Sequence, residues 1–378
     1  MTFYRTNGLP SAAHLELTDR CNAGCPLCSR TSKVTGGPSV FVKNTDLPFD
    51  VIRSCFTPEF LERSSFRYVH LCGNYGDPVI HPQIYEVAEH FATAGVGVGI
   101  ATNGSLRSTS FWSKLGQMFA QQDRRCKVIF GLDGTDTVTH EMYRKFTSFS
   151  KVIENARAFI AAGGVAIWQF IVFDHNEHQV DEARRMAKEL GFDQFKVQIG
   201  NRIKPKEIRK TMFLETGPTS VHAISARIVD RNQRTLEYGI KLTSRLAEAT
   251  RKSKAYSELT VIEDPISCKV KIDDSVFISA EGFVFPCCWT ALHYNRLRHA
   301  GDPAVEEFAT LTPTTPQYSW GPELNVNHSE LEIILQHEFF NEIDALVGPG
   351  AKNPLWPCFK ACFLNANKEV LEQTALQR

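Results

Sequence analysis

Two rhythms of apolar and polar residues alternate along the first two hundred positions. Short runs rich in Val, Ile, Phe and Leu occur at HLELT (14–18), FRYVHLCG (66–73), VGVGIATNG (96–104), KVIFGLDG (127–134), VAIWQFIVF (165–173) and FKVQIG (195–200). HLELT alternates, whereas VAIWQFIVF is nearly all apolar, as a strand covered on both faces requires. Between the runs lie segments with apolar residues at helical spacing, 82–95, 148–164 and 179–191, each closing on a glycine. Six strands alternating with helices predict a parallel α/β architecture. In such folds chemistry collects where strands end. The polar and cysteine-bearing segments sit there: a three-cysteine loop after the first run, GNYGDP after the second, TNG after the third, DGTD after the fourth.

The rhythm changes after residue 200. From 201 to 254 there are thirteen Lys/Arg against five Asp/Glu, broken by Pro205, Gly217 and Pro218. Helices are expected at 219–232 and 238–254, with the basic residues on a solvated face that also suits an acidic partner. KVKIDDSVFISAEGFVFPCC (269–288) reads as a hairpin turning near Ala280-Glu281-Gly282. Three regions are therefore expected: an α/β core over 1–200, a basic helical bridge over 201–256 and a smaller domain over 257–378.

Composition narrows the function classes. The 378 residues carry 42 Lys plus Arg and 42 Asp plus Glu, so no global basic field attracts nucleic acid. No run of about 18 apolar residues and no signal peptide is apparent, so no membrane partner is expected and the default compartment is the cytoplasm. Eleven cysteines in a reducing compartment point to metal ligands rather than disulfides.

Cys21, Cys25 and Cys28 lie in DRCNAGCPLCSR (19–30), where Asn22, Gly24 and Pro26 favour a loop. Three thiolates leave a tetrahedral zinc site incomplete. They suit a [4Fe–4S] cube that keeps one iron open. A zinc loop completed by His14 or His70 is the competing reading.

The Cys21-x3-Cys25-x2-Cys28 spacing after the first of six strands resembles the radical S-adenosylmethionine (radical SAM) superfamily. That resemblance implies a partial (β/α)6 TIM barrel. It also implies SAM chelated by the open iron and cleaved to methionine and a 5′-deoxyadenosyl radical, which abstracts a hydrogen atom from the substrate. Tyr75-Gly76-Asp77-Pro78 resembles the family's GGEP segment, and Asn103 in TNG and Asp133 in LDG resemble its later strand-end motifs. Arg144 falls where relatives place an arginine near the SAM carboxylate, and Gln169 where they place a polar group near the ribose. Leu27 replaces a frequent aromatic, and Tyr75 replaces the first glycine of GGEP.

Cys268-x13-Gly282-x4-Cys287, with Cys358 and Cys362 near the end of the chain, resembles the SPASM/twitch extension of this superfamily. The shorter twitch form, a hairpin plus helix, implies one auxiliary [4Fe–4S] cluster on these four thiolates; structural zinc is the alternative. Cys288, next to Cys287, is read as facing away on a strand, as a core thiol, an alternative ligand or a hydrogen-atom donor. The implied activity is oxidation or crosslinking of a peptide or protein side chain, with flavodoxin or ferredoxin as electron donor. The alternatives are dehydrogenation or epimerisation of a sugar-like or nucleotide-like metabolite, and a non-catalytic Fe–S or zinc module. The twenty residues before Cys21 are read as too few for a leader-binding domain, which weighs against the peptide reading unless a separate protein binds the leader.

Overall fold

The computed structural model describes residues 4, 8–32, 35–199, 223–229, 235–241, 268–299 and 321–340. Cys358, Cys362 and most of 201–267 lie outside them. In chain order the main elements are β1 (Ala12–Leu15), α1 (Phe49–Cys55), α2 (Pro58–Arg63), β2 (Tyr68–Leu71), α3 (Ile84–Thr93), β3 (Gly97–Thr102), α4 (Thr109–Ala120), β4 (Lys127–Gly131), α5 (Thr137–Tyr143) and α6 (Phe149–Ala161). They are followed by β5 (Val165–Val172), α7 (Val180–Glu189), β6 (Gln194–Ile199), β7 (Ala223–Val229), β8 (Thr235–Lys241), β9 (Ser275–Ile278) and β10 (Val284–Phe285). All six strands and all three helices expected in the first 200 residues are present, within a few residues of their predicted ends.

Two compact units result: residues 1–17, 46–70 and 255–378, and residues 18–45 and 71–254. In the second unit, β3, β4, β5 and β6 lie side by side in parallel, with Gly131 opposite Gln169 and Gln169 opposite Lys196. One face of these strands packs on helices. Val98, Ile100, Val128, Phe130, Ala166, Trp168 and Phe170 on that face are buried, together with Trp112, Phe119 and Phe159 of the helices. The indole of Trp168 donates to the Leu132 carbonyl at 2.9 Å, so a large apolar side chain is buried without an orphaned donor. Ser108 and Ser148 cap α4 and α6 by accepting from Phe111 N and Lys151 N. α4 is legible in hindsight from that serine and from the Phe111, Trp112, Leu115 and Phe119 spacing.

In the first unit, β9 pairs in parallel with β1, Ala12 opposite Ser275, and antiparallel with β10, Phe285 opposite Phe277. The expected hairpin therefore exists, with Gly282 at φ +89° in its turn. Its expected first stretch is different. Residues 269–273 form a short helix, and Asp274 at φ +52° redirects the chain into β9.

The helices expected within 219–254 are corrected: β7 and β8 form an antiparallel pair with Ile224 opposite Ile240 and Ile228 opposite Leu236. AISARIV and TLEYGIK place apolar residues at every second position, and that period outweighs the helical reading of the flanking charges.

Candidate cofactor site at the strand ends

The cysteine loop starts at a buried carboxylate. Asp19 accepts from the backbone N–H of Thr45 at 2.8 Å and from that of Lys43, which ties the two ends of the loop together. The Arg30 guanidinium donates to the Asp19 carbonyl from within the loop. Gly24 N–H donates to the Lys145 carbonyl at 2.9 Å. Cys25 is buried against Tyr143 and Phe173, with Leu27, Cys28 and Ile171 packed around them. Leu27 thus contributes to an apolar seat whose aromatic rings come from other segments.

Gly76 shows why its position excludes a side chain. A Cβ there would overlap the Thr18 carbonyl at the base of the loop. Asp77 follows, buried, and its carboxylate accepts from Thr102 Oγ1 at 2.8 Å, Asn103 N at 2.7 Å and Val79 N at 3.0 Å. Burial raises the Asp77 carboxyl above its ordinary range, and these donors together with the Arg144 charge pull it back. The side chain joins the ends of β2 and β3; only its neighbouring backbone is left to meet a ligand. Pro78 opens the short 3-10 turn that Asp77 caps. Tyr75 is buried beside Phe41 of the cysteine loop, ring centroids 5.9 Å apart, so the departure from glycine is filled by packing.

Asn103 links the TNG turn to the cysteines. Its Nδ2 donates to Asn22 Oδ1 at 2.9 Å and faces Cys21 Sγ at 3.9 Å. Its Oδ1 accepts from Ser105 N at 3.0 Å and Ser105 Oγ at 2.7 Å, while Asn22 Nδ2 donates to Ser105 Oγ at 2.9 Å. Cys21 also receives the Ala23 N–H at 3.4 Å. Burial first, then the charges of Asp77, Cys25 and Cys28, raise the Cys21 thiol well above its ordinary value.

Asp133 and Arg144 form a buried ion pair, Nε to Oδ2 2.6 Å. Oδ1 of Asp133 accepts from Ile171 N at 2.7 Å. Burial raises the Asp133 carboxyl, against which Arg144 and that N–H act. For Arg144 burial opposes the charge, but Asp133 and then Cys25 and Tyr143 hold the guanidinium protonated above its ordinary value. The guanidinium lies over Gly131, where a Cβ would come within 2.7 Å of Nη2. His140 supports the turn from below. Its Nδ1 accepts the Asp133 N–H and its Nε2 meets Thr147 Oγ1 at 3.1 Å. That arrangement fixes the neutral tautomer, and burial lowers its pKa to about 3. Gln169, opposite Gly131, donates to Gln198 Oε1 at 3.1 Å.

The second unit therefore gathers Cys21, Cys25, Cys28, Gly76, Asp77, Asn103, Asp133 and Arg144 at its strand ends. Ser105, Asp19 and His140 escaped the sequence reading, Asn22 was read only as a loop residue, and Thr102 only as part of the TNG turn. Their roles depend on partners distant in sequence, although the position of Asn22 inside the cysteine spacing was a signal. A cavity of about 900 Å³ opens on the loop; Cys21, Arg20 and Arg30 are in its lining and no Asp or Glu is. Among the described residues no three His, Cys, Asp or Glu side chains converge on a single ion. Thiolates of a cube each hold a different iron, so the test is the donor set. Three cysteines on one loop, N–H groups turned to the Cys21 sulfur, and Arg20 and Arg30 beside Cys21 in the cavity lining are a donor set that fits an anionic iron–sulfur cluster. His14 and His70 pack against each other, ring centroids 5.2 Å apart and tilted by 58°, with His14 edge-on to Phe277.

In the first unit, Cys268 precedes the 269–273 helix and Cys287 follows β10. Burial raises the Cys287 thiol, with the nearby Cys268 adding to it, and Thr290 opposes through its hydroxyl at 3.0 Å and its N–H at 3.4 Å. Tyr4, also buried, feels both thiols and was not anticipated. Two of the four expected auxiliary ligands thus approach each other; the other two lie outside the described residues. Cys288 is not on a strand. It opens a helix over Cys288–Arg298 and packs against Phe277, Phe285 and Ala291, so the alternation argument does not apply to it.

No family model matches the chain. In sequence it is 26% identical over 179 residues to the AdoMet-dependent heme synthase of Methanosarcina barkeri, covering 47% of this chain and 46% of that protein. It is 26% identical over 212 residues to the mycofactocin maturase MftC of Mycobacterium ulcerans, covering 56% and 52%. The chain spans about half the length of the curated relatives it matches. In fold it is similar to Streptococcus suis SuiB bound to precursor peptide SuiA, with a TM-score of 0.51 at 13% identity over 89% of this chain and 66% of that one. It is also similar to anSMEcpe with bound AdoMet, with a TM-score of 0.50 at 14% identity over 88% and 79%. Among the described residues no helix is long and apolar enough to cross a membrane. The three-thiol loop heading a parallel-strand series agrees with the resemblance to radical SAM enzymes, and the proteins to which this chain is similar include one named as an AdoMet-dependent synthase and one solved with AdoMet bound.

Proposed function

We propose that this chain is a radical SAM oxidoreductase that modifies a peptide or protein side chain. A [4Fe–4S] cluster and SAM supply, when bound, a 5′-deoxyadenosyl radical that abstracts a hydrogen atom from a C–H bond of the substrate. Cys21, Cys25 and Cys28 hold that cluster. The backbone at Tyr75–Pro78 and the Arg144 guanidinium orient the cosubstrate, Arg144 by offering its Nη groups to a carboxylate while Asp133 holds Nε, and Asn103 holds the turn after β3 against the cysteine loop. Gln169 faces the ribose. The apolar seat of Tyr143, Phe173 and Leu27 keeps water from the loop.

Residues 1–200 carry this chemistry, 201–256 bridge, and 257–378 hold an auxiliary [4Fe–4S] cluster on Cys268, Cys287, Cys358 and Cys362 that takes up the second electron. A flavodoxin or ferredoxin supplies the first electron, in the cytoplasm. The peptide reading is favoured by similarity to a maturase and to a protein bound to its precursor peptide. A metabolite substrate is the second reading, favoured by similarity to a heme synthase.

The carrying observation is the three-cysteine loop itself, with Cys25 and Cys28 packed beside Tyr143 and Phe173 and the Cys21 sulfur met by the Ala23 N–H and the Asn103 amide. Anaerobically reconstituted protein, given SAM and dithionite, is expected to release 5′-deoxyadenosine, and Cys25→Ala to release none. Iron-loaded wild-type protein that releases none would overturn the reading.

A further inference from the structure

One side-chain amide in the first site has only one possible orientation. The donor that fixes it is the Ser105 backbone N–H, which points at Asn103 Oδ1 from 3.0 Å. A backbone N–H only donates, so the oxygen of Asn103 must face Ser105 and its NH2 group must face away. Around the ring the same logic continues. Asn22 Oδ1 accepts from Asn103 Nδ2 at 2.9 Å, so Asn22 Nδ2 is left to donate to Ser105 Oγ, whose hydroxyl donates to Asn103 Oδ1. Asn103 itself is 5% exposed, which shields its amide, whereas Asn22 and Ser105 are half-buried and line the cavity. The second hydrogen of Asn103 Nδ2 is then directed to Cys21 Sγ, 3.9 Å away and 82 residues distant in sequence.

We infer that Asn103 acts on the cluster centre through Cys21, as a positioning residue that raises the centre's reduction potential. The inference rests on the proposed function only in placing a cluster on the thiols. Reduction adds negative charge that spreads onto the ligating sulfurs. An N–H aimed at one of them stabilises the reduced form more than the oxidised form. Cys21 holds two N–H donors, one from its own loop and one from Asn103. The Asn103 donor links the potential to the turn after β3.

The test is a redox titration of the reconstituted full chain, following by EPR the reduced-cluster signal that changes on SAM addition. Asn103→Ala and Asn103→Leu are expected to move that midpoint to more negative potential. Ser105→Ala keeps the backbone N–H that orients Asn103 and removes only the hydroxyl, so it is expected to leave the midpoint near the wild-type value. An unchanged midpoint in iron-loaded Asn103→Ala, or an equal shift in Ser105→Ala, overturns the inference and leaves Asn103 as loop packing. Where the Asn103 variants load no iron, wild-type protein carrying asparagine labelled with 15N at the side-chain amide decides. A 15N hyperfine coupling to the reduced cluster is expected, and its absence overturns the inference. Release of 5′-deoxyadenosine by the same wild-type preparation keeps this outcome separate from failure of the proposed function.

Discussion

The two cysteine regions solve the same problem with different resources. Around Cys21, Cys25 and Cys28 the polar groups come from four strand ends and close on one another: Asp77 on Thr102 and Asn103, Asn103 on Asn22 and Ser105, Asp133 on Arg144 and Ile171. Among the described residues, Cys287 is met by Thr290 three residues later, and the buried Tyr4 lies within the field of both Cys268 and Cys287. A site built from distant segments is rigid in proportion to the completeness of its network, and losing one member exposes a buried charge or donor. A site on a hairpin and a helix start depends on local turns and tolerates single losses better. The first arrangement suits a centre that must hold a cosubstrate in one pose. The second suits a centre asked only to exchange electrons.

The sharpest way to break this contrast is to empty the sites separately. Cys25→Ala and Cys268→Ala are each expected to lower iron from about eight to about four per chain, but only Cys25→Ala abolishes SAM cleavage. Equal loss of cleavage in both would dissolve the distinction. Next, Asp133→Asn strands Arg144 and is expected to cost about 3–5 kcal/mol in urea unfolding. The double change Asp133→Leu with Arg144→Met is expected to recover most of that stability and none of the SAM affinity. Gly76→Ala, whose Cβ has no space beside Thr18, is expected to cost about 1–3 kcal/mol.

The buried His140 gives a pH signature confined to the first region. Its native pKa of about 3 lies below the ordinary 6.5, so the unfolded chain binds the proton first. Stability is then expected to fall as pH drops below about 6.5, by at most about 1.4 kcal/mol per unit. His140→Gln should flatten the slope between pH 6.5 and 5 in thermal melts. The smallest effect belongs to the second region: Thr290→Val should cost about 0.5–1.5 kcal/mol, and unchanged unfolding would mean that Cys287 needs no local support.

Strand runs and cysteine spacings were legible because each is written in adjacent residues: VAIWQFIVF reads as a covered strand whatever its neighbours, and the spacing Cys21-x3-Cys25-x2-Cys28 sits in one loop. The supporting network was not, because Asn22, Ser105 and His140 acquire their roles only when the cysteine loop and the segments after β3 and β4 approach. The β7–β8 pair was misread because charge was weighed over period, although Ile224, Ala226 and Ile228 repeat every second residue. Residues 269–273 alternate in sequence yet turn as a helix, since Asp274 in the left-handed region must redirect the chain before β9 can begin.

The parallel pairing of β1 with β9 has a consequence for biogenesis. β1 leaves the ribosome early, while the strand that pairs with it from Ser275 onward follows about 260 residues later. At roughly 5–20 residues per second the nascent N-terminus waits tens of seconds with that edge unmatched. A ribosome stalled near residue 260 would present a bare strand to its neighbours, so aggregation of translation intermediates, rather than of the finished protein, is the hazard this topology creates.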